Sequence, residues 1–272
     1  MNQELLDAVS EDDLEAAATF LRDHPEEDLN VPDGVKNEWS YLHYACFNGH
    51  DRIVSLLLAH PAVDVNYLDV YGATPFQTAS MFGQASCARL LLNDARVDVN
   101  NAEKEGSTAL WTAVSYGHMG VIQEWIASGR PMDLGPLGNP KGTIETAREK
   151  NKHEVVALLE RFVADPVQTR HEVREKLGMV DEQAAAVFAS IVFLCEGLLQ
   201  LKPALHDTIT ASATAAMTAA ATRFFTIAKR LPMELQMILS RRAVGSMKQN
   251  IVHQDSEAAF KSLARVLLPP SK

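Results

Sequence analysis

A spacing of 34 residues recurs along the first part of this 272-residue chain and constrains its fold more than any other feature. Glycines keep this spacing at positions 49, 83 and 117, and alanines keep it at 45, 79, 113 and 147. The tripeptide Asp-Val-Asn begins at 64 and again at 98. Because several independent columns hold one period, the sequence predicts a stack of structural repeats.

Each repeat carries the pattern of two short helices. A segment rich in small and apolar residues ends at the glycine, which suits the left-handed conformation that terminates a helix. Asn151 occupies this place in the last copy, and asparagine is the residue that tolerates that conformation next best. A second apolar pattern follows the glycine. One helix pair cannot bury its apolar face alone, so neighbouring pairs must stack, and we predict an all-α solenoid.

The repeats resemble ankyrin repeats. The opening motif of that family is matched by Ser40-Tyr41-Leu42-His43, Thr74-Pro75-Phe76-Gln77 and Thr108-Ala109-Leu110-Trp111. A leucine run and an Asp-Val-Asn segment close the first two of these copies. Residues 2–33 and 143–163 resemble degenerate terminal repeats. The resemblance implies about five repeats in an ankyrin-repeat domain at 1–164.

The period disappears after residue 164, and the sequence predicts a second, helical domain at 165–272. Predicted helices cover 169–178, 181–201, 207–230, 233–242 and 256–268. The apolar stretch at 184–195 is shorter than the roughly 20 residues that span a bilayer, so we expect a helical bundle that caps the last repeat. The segments Thr169–Arg174 and Phe193–Leu201 resemble the helical tails of expanded ankyrin proteins of mushroom-forming fungi.

The segment Leu231–Leu239 admits two interpretations. Its Leu-Pro start and leucine spacing resemble an F-box, the helical module that docks on a ubiquitin-ligase adaptor. Proline in the first turn followed by amphipathic leucines is also ordinary for a helix start. A substrate adaptor of a ubiquitin ligase is therefore an alternative function.

Known catalytic and cofactor motifs are missing from the sequence. Neither phosphate-binding glycine string occurs, and there is no nucleophile turn and no paired-histidine zinc motif. We therefore predict no enzyme activity, no cofactor and no metal; an enzyme with an unrecognised site is the least favoured alternative. His43 and His50 resemble histidines that hold repeat loops together, and the cysteines at 46, 87 and 195 are predicted to be small buried side chains.

Charge and cysteine content indicate which class of partner and which cellular compartment the sequence favours. Residues 1–164 carry a net charge of −13 and residues 165–272 a net charge of +3. The acidic part repels phosphate backbones, so we expect no nucleic-acid partner. It either attracts a basic partner or is a solvated acidic face. Three scattered cysteines, an acidic N-terminus and no apolar leader predict an intracellular, cytoplasmic rather than nuclear protein that is monomeric by default, with no membrane span.

The resemblance implies a protein partner held on a concave face made by the fingers and first helices. Ten positions of this chain correspond to that face: Trp39, Phe47, Asn48, Tyr71, Met81, Phe82, Lys104, Glu105, Ser107 and Tyr116. Exposed aromatic residues are typical of interface anchors, so we expect a scaffold that binds a partner there. The alternative is internal cover, by the C-terminal bundle or by local packing of Trp39 and Phe47 under the finger at 31–40.

Overall fold

The protein is described from a computed structural model that places residues 2–32, 34, 37–131, 142–195, 224–228, 230–244, 258, 259 and 261. The chain forms two compact units, Met1–Val173 and Arg174–Lys272. The described residues are helical apart from loops and one isolated bridge between Ala102 and Thr108.

The first unit consists of five successive helix pairs. Their helices are α1 (Gln3–Ser10), α2 (Leu14–Asp23), α3 (Tyr41–Asn48), α4 (Asp51–Leu58), α5 (Pro75–Met81), α6 (Ala85–Asn93), α7 (Ala109–Tyr116), α8 (Met119–Ser128), α9 (Thr143–Glu149) and α10 (His153–Ala164). The first helices of successive pairs contact one another from α1 through α3, α5 and α7 to α9, and the second helices do the same from α2 to α10. The predicted solenoid of about five repeats is confirmed.

The helix ends adopt the conformation predicted from the 34-residue columns. The backbone φ angle is +79° at Gly49, +70° at Gly83 and +81° at Gly117. Asn151, at the same place in the last repeat, has a φ of +56°. Each of these residues therefore reverses the chain between the two helices of a repeat.

The core lies between the two layers of helices. One column of the period contributes Ile53, Cys87 and Val121, which are fully buried, and Val155, which is 3% exposed. A second column places Trp125 where the neighbouring repeats have leucine, and its ring packs edge-on against Phe76 at 5.3 Å between centroids. The apolar columns of the sequence are thus the surfaces through which the repeats stack.

Side chains at equivalent positions also link each repeat to its neighbour. The Ser40 backbone N–H donates to Nδ1 of His43, so Nε2 of this ring donates to the Ala73 carbonyl at 3.2 Å. His50 donates through Nε2 to the Ser10 carbonyl at 3.0 Å. These bonds satisfy loop carbonyls of the adjacent repeats, which confirms the structural role predicted for the two histidines.

The helix α11 (Pro166–Lys176) begins earlier than predicted. Proline suits the first position of a helix, and the Asp165 carboxylate accepts the Gln168 N–H at 2.9 Å. Asp165, the predicted start of the second domain, separates α10 from α11, whereas the two compact units divide inside α11. The predicted docking of residues 165–272 on the last repeat stays a prediction.

The described part of the second unit contains α12 (Met179–Cys195), a helical segment at 224–228 and α13 (Met233–Ala243). The helices α12 and α13 pack on each other, and the fully buried Arg241 of α13 forms an ion pair with Asp181 of α12. The predicted helix at 233–242 is confirmed, whereas residues 196–201 and most of the helices predicted at 207–230 and 256–268 lie outside the described residues.

The burial of the cysteines and the character of the helices bear on two further predictions. Cys46 and Cys87 are buried as expected, but the prediction is wrong for Cys195, which is exposed. None of the described helices combines the length and the apolar character that a membrane crossing requires.

Candidate functional site

The loops that connect a second helix to the first helix of the next repeat are called fingers, and backbone hydrogen bonds join the tips of the first three. The Val70 N–H donates to the Asn37 carbonyl at 3.1 Å, and the Lys104 N–H donates to the Tyr71 carbonyl at 3.0 Å. The Lys104 ammonium adds a bond to the Val70 carbonyl at 2.6 Å. Residues far apart in the chain are thereby fixed side by side.

Asp69 shapes the middle finger. Its Oδ1 atom accepts the N–H groups of Tyr71 at 2.9 Å and Ala73 at 2.8 Å, which is how a short acidic side chain stabilises a turn. Its Oδ2 atom accepts the indole N–H of Trp39 at 3.3 Å. Gly72 completes the turn with a φ of +81°. The buried Asp69 carboxylate therefore orients Trp39 and Tyr71, which face the same space.

That space is a groove of about 730 Å³ between the fingers and the first helices. We call it the finger groove. It is lined by Asn37, Trp39, Phe47, Asp69, Tyr71, Ala73, Thr78, Met81, Phe82, Glu103, Lys104 and Glu105. These residues come from three consecutive repeats, so no single repeat contains the site.

One wall of the finger groove is aromatic. The ring of Trp39 lies 5.2 Å from that of Phe47, and Phe47 meets Phe82 edge-on at 4.5 Å between centroids. Trp39 also meets Tyr44 edge-on at 5.3 Å. Much of the ring surface of Trp39 and Phe47 therefore contacts neighbouring aromatic rings. Such local packing is the alternative that the sequence left open for these two residues. Phe82 is 43% exposed and Tyr71 is 60% exposed, so the wall still offers open ring surface.

The part of the finger groove that the third finger forms is acidic. Glu103 and Glu105 flank Lys104 at the tip of the third finger. Burial raises the pKa of the Glu103 carboxyl above its ordinary value, and the nearby Glu105 and Asp69 carboxylates raise it further. A carboxylate in this position is poorly solvated and repelled by its neighbours, so a positive charge brought close to it is attracted.

Seven of the ten predicted partner-binding residues line the finger groove: Trp39, Phe47, Tyr71, Met81, Phe82, Lys104 and Glu105. Asn48 is exposed outside it. The Ser107 carbonyl instead accepts hydrogen bonds from the Glu103 N–H and the Gln77 amide. Tyr116 is 57% exposed, stacks on His118 at 5.9 Å between centroids, and is not among the residues that line the groove.

The sequence analysis missed Asn37, Asp69, Thr78 and Glu103 as groove residues. One signal was present for Glu103, since it follows Asp69 by one repeat length of 34 residues. The remaining three positions depend on how the fingers fold back over the first helices. That arrangement follows from hydrogen bonds between loops, although Asn37 also carried a signal because it precedes the predicted Tyr71 by 34 residues.

The groove offers aromatic rings, carboxylates and one ammonium group as surfaces for binding. The thiols of the first unit lie in the core instead, where burial raises the pKa of Cys87 to about 12 and that of Cys46 well above its ordinary value. A neutral thiol is a poor nucleophile. Within the part of the chain that the structure describes, no group of three or more histidine, cysteine, aspartate or glutamate side chains is arranged to hold a metal ion.

Comparison with known proteins agrees with the architecture. Residues 5–102 match the family model described as ankyrin repeats, in 3 copies. No curated protein matches the chain, and the predicted likeness of the C-terminal part to fungal tails stays a prediction. Ankyrin repeats are generally protein–protein interaction modules and are typically not enzymes. Residues 5–102 therefore carry ankyrin repeats, and the helix pairs of the all-α solenoid continue through α10 with the same period.

Proposed function

We propose that this protein is a non-enzymatic scaffold that binds a segment of a partner protein in the finger groove. The observation that carries the proposal is the wall of Trp39, Phe47, Tyr71 and Phe82 on a groove built from three repeats. Large aromatic side chains beside a polar rim are the usual anchors of protein interfaces. Ankyrin repeats generally serve such interactions, which supports the same conclusion.

The charge of residues 1–164 and the state of the cysteines indicate the kind of partner and the cellular compartment. A net charge of −13 on residues 1–164 favours a basic protein partner over nucleic acid. Cys46, Cys87 and Cys195 form no disulfide bond in the part of the chain that the structure describes, which fits a reducing compartment and supports an intracellular, cytoplasmic protein. We propose that the protein acts as a monomer in this role.

The proposal is tested by comparing two tyrosines that differ in position rather than in exposure. Tyr71 is 60% exposed and lines the finger groove, whereas Tyr116 is 57% exposed and lies outside it. A partner captured with the full chain is titrated against Tyr71→Ala and Tyr116→Ala. Loss of an interface anchor commonly costs about 2 kcal/mol or more, so Tyr71→Ala should weaken binding at least about tenfold.

Tyr116→Ala should change the affinity little, and neither substitution should lower the melting temperature much because both rings are exposed. Equal losses with the two variants would show that the whole face binds rather than the groove. Unchanged affinity with both would contradict the proposal.

The second candidate function, a ubiquitin-ligase adaptor acting through Leu231–Leu239, is favoured by one observation. Met233 is 60% exposed and Leu235 is 47% exposed, while Gln236, Ser240 and Arg241 of the same helix are buried. A docking helix must leave apolar residues open in this way. Binding of a purified ligase adaptor subunit that is lost with Leu235→Asp would support this function, and absence of binding would contradict it.

A further inference from the structure

We propose that the finger groove takes the guanidinium or ammonium group of an arginine or lysine in a basic protein segment, with Glu103 as its acceptor. This inference deepens the function proposed for the same groove and rests on it. It assigns the occupant's chemistry from Glu103, a groove carboxylate that makes no hydrogen bond or ion pair with the residues that the structure describes.

The turns at Asp69 and Glu103 have the same backbone structure. The Asp69 N–H donates to the Ala73 carbonyl at 3.0 Å, and the Glu103 N–H donates to the Ser107 carbonyl at 3.1 Å. In both turns a glycine three residues later donates back to the carbonyl of the acid, at 2.9 and 2.8 Å. The two turns therefore share one backbone conformation and differ only in their side chains.

The two carboxylates differ in what they bind. Asp69 accepts three hydrogen bonds, from the N–H groups of Tyr71 and Ala73 and from the Trp39 indole. Glu103 is one methylene longer, and its carboxylate makes no hydrogen bond or ion pair with any residue that the structure describes. The turn at 103 is held by backbone hydrogen bonds and by the Gln77 amide, which donates to the Ser107 carbonyl, so its shape does not depend on the Glu103 carboxylate.

The electrostatic surroundings of Glu103 favour a cation. Burial and the carboxylates of Glu105 and Asp69 disfavour its charged form, and a positive charge beside it relieves both effects. Lys104 is exposed on the same finger, but its ammonium donates to the Val70 carbonyl at 2.6 Å. The described groove thus combines three carboxylates with a single ammonium that is already bound to a carbonyl.

The aromatic wall suits the same occupant. A guanidinium or ammonium group is attracted to the face of an aromatic ring, most strongly where water is partly excluded. Tyr71 carries an open ring, and its carbonyl accepts the N–H of Lys104, next to Glu103. A cation held by Glu103 therefore lies close to ring surface, and the planar guanidinium can stack on it while donating to the carboxylate.

The test selects peptides from a randomised, phage-displayed dodecapeptide library on the full chain. Parallel selections use Glu103→Gln and Glu145→Gln, the latter an exposed glutamate of α9 that lies outside the finger groove. The strongest selected peptide is then titrated by fluorescence anisotropy, with its arginine intact or replaced by the neutral isostere citrulline, or its lysine by acetyl-lysine.

We expect the full chain and Glu145→Gln to enrich arginine or lysine at one peptide position at least about fivefold, and Glu103→Gln to lose this enrichment. Neutralising that residue in the peptide should weaken binding at least about tenfold to the full chain and much less to Glu103→Gln. The difference between the two proteins separates recognition by Glu103 from a general attraction to acidic surface.

Three results would overturn the inference: selection of no basic peptide, equal binding of the charged and neutral peptides, or equal behaviour of Glu103→Gln and the full chain. Neutral aromatic peptides whose binding is lost with Tyr71→Ala would leave the binding function standing and refute the cation. Peptides unaffected by Tyr71→Ala would refute the function of the groove itself.

Discussion

The negative charge of the Glu103 carboxyl opposes folding, although this is the group that we propose to hold a cation. Burial and two neighbouring carboxylates raise its pKa in the folded chain, so the folded state holds a proton more tightly than the unfolded state. The stability that results is present below the unfolded pKa and is lost as the pH rises through the folded pKa. At neutral pH the charged side chain therefore destabilises the fold.

Glu103→Gln should accordingly raise the free energy of unfolding at pH 7, and the gain should shrink as the pH falls toward the ordinary pKa of glutamate. Denaturant unfolding of both proteins from pH 4 to 8 measures this. Glu145→Gln, at an exposed site outside the finger groove, serves as the control for the loss of a carboxylate. A variant less stable than the parent at pH 7 would show that the carboxylate stabilises the finger.

At the scale of the helix, the chain reversals between paired helices give a sharp test. Gly83 has a φ of +70°, and a Cβ atom there would lie 2.6 Å from Nδ1 of His118, whose Nε2 donates to the Met81 carbonyl at 2.8 Å. Gly83→Val should therefore destabilise by about 1–2 kcal/mol or more, since a β-branched residue is strained in this region. Thermal unfolding of the full chain provides the measurement.

The matched variant is Asn151→Gly, at the equivalent end of α9, where φ is +56°. Glycine adopts this conformation without steric cost, so the change should be neutral or slightly stabilising. Similar losses at positions 83 and 151 would mean that the conformation of these residues does not govern stability.

The helices were largely predictable because periodic columns encode them. The small residues at 45, 79 and 113, the glycine caps and the buried second helices all follow from one spacing, and the structure confirms each. The start of α11 was missed because Pro166 also suits a chain break, and only its hydrogen-bonding context at Asp165 distinguishes the two.

The finger groove was predictable only in part. Its aromatic members are large apolar residues at surface positions, which the repeat register exposes. Glu103 was missed because an acid in an acidic half-chain resembles any solvated charge. Its significance comes from two facts. Its turn has the same backbone structure as that of Asp69, and its carboxylate makes no hydrogen bond with the residues that the structure describes. Those are properties of the folded loop rather than of the pattern.

At the scale of the whole chain, the end of the repeat stack decides how the first unit can be shortened. The first part of α11 belongs to this unit: Thr169 and Val173 are buried, and the Arg170 Nε donates to the Ile126 carbonyl at 3.1 Å. The Arg170 guanidinium also lies 5.9 Å from the centre of the Phe162 ring. Repeat stacks depend on such terminal contacts, because an end repeat has one neighbour fewer.

A fragment of residues 1–164 should therefore unfold at a lower temperature than one of residues 1–173. The lost side-chain burial and hydrogen bond correspond to roughly 2–4 kcal/mol, or several degrees in melting temperature for a chain of this size. Differential scanning calorimetry of the two fragments beside the full chain makes the comparison. Identical melting curves for the two fragments would show that α11 is not part of the stack's end.

The origin of the finger groove in three consecutive repeats has a mechanical consequence. Trp39, Tyr71 and Glu103 belong to successive repeats and move relative to one another whenever the solenoid bends or unwinds. A segment that binds all three, as we propose, stabilises the stacked arrangement of these repeats by its binding free energy. We therefore expect these repeats to separate at a higher pulling force when the proposed segment is bound, and the segment to be released as they separate.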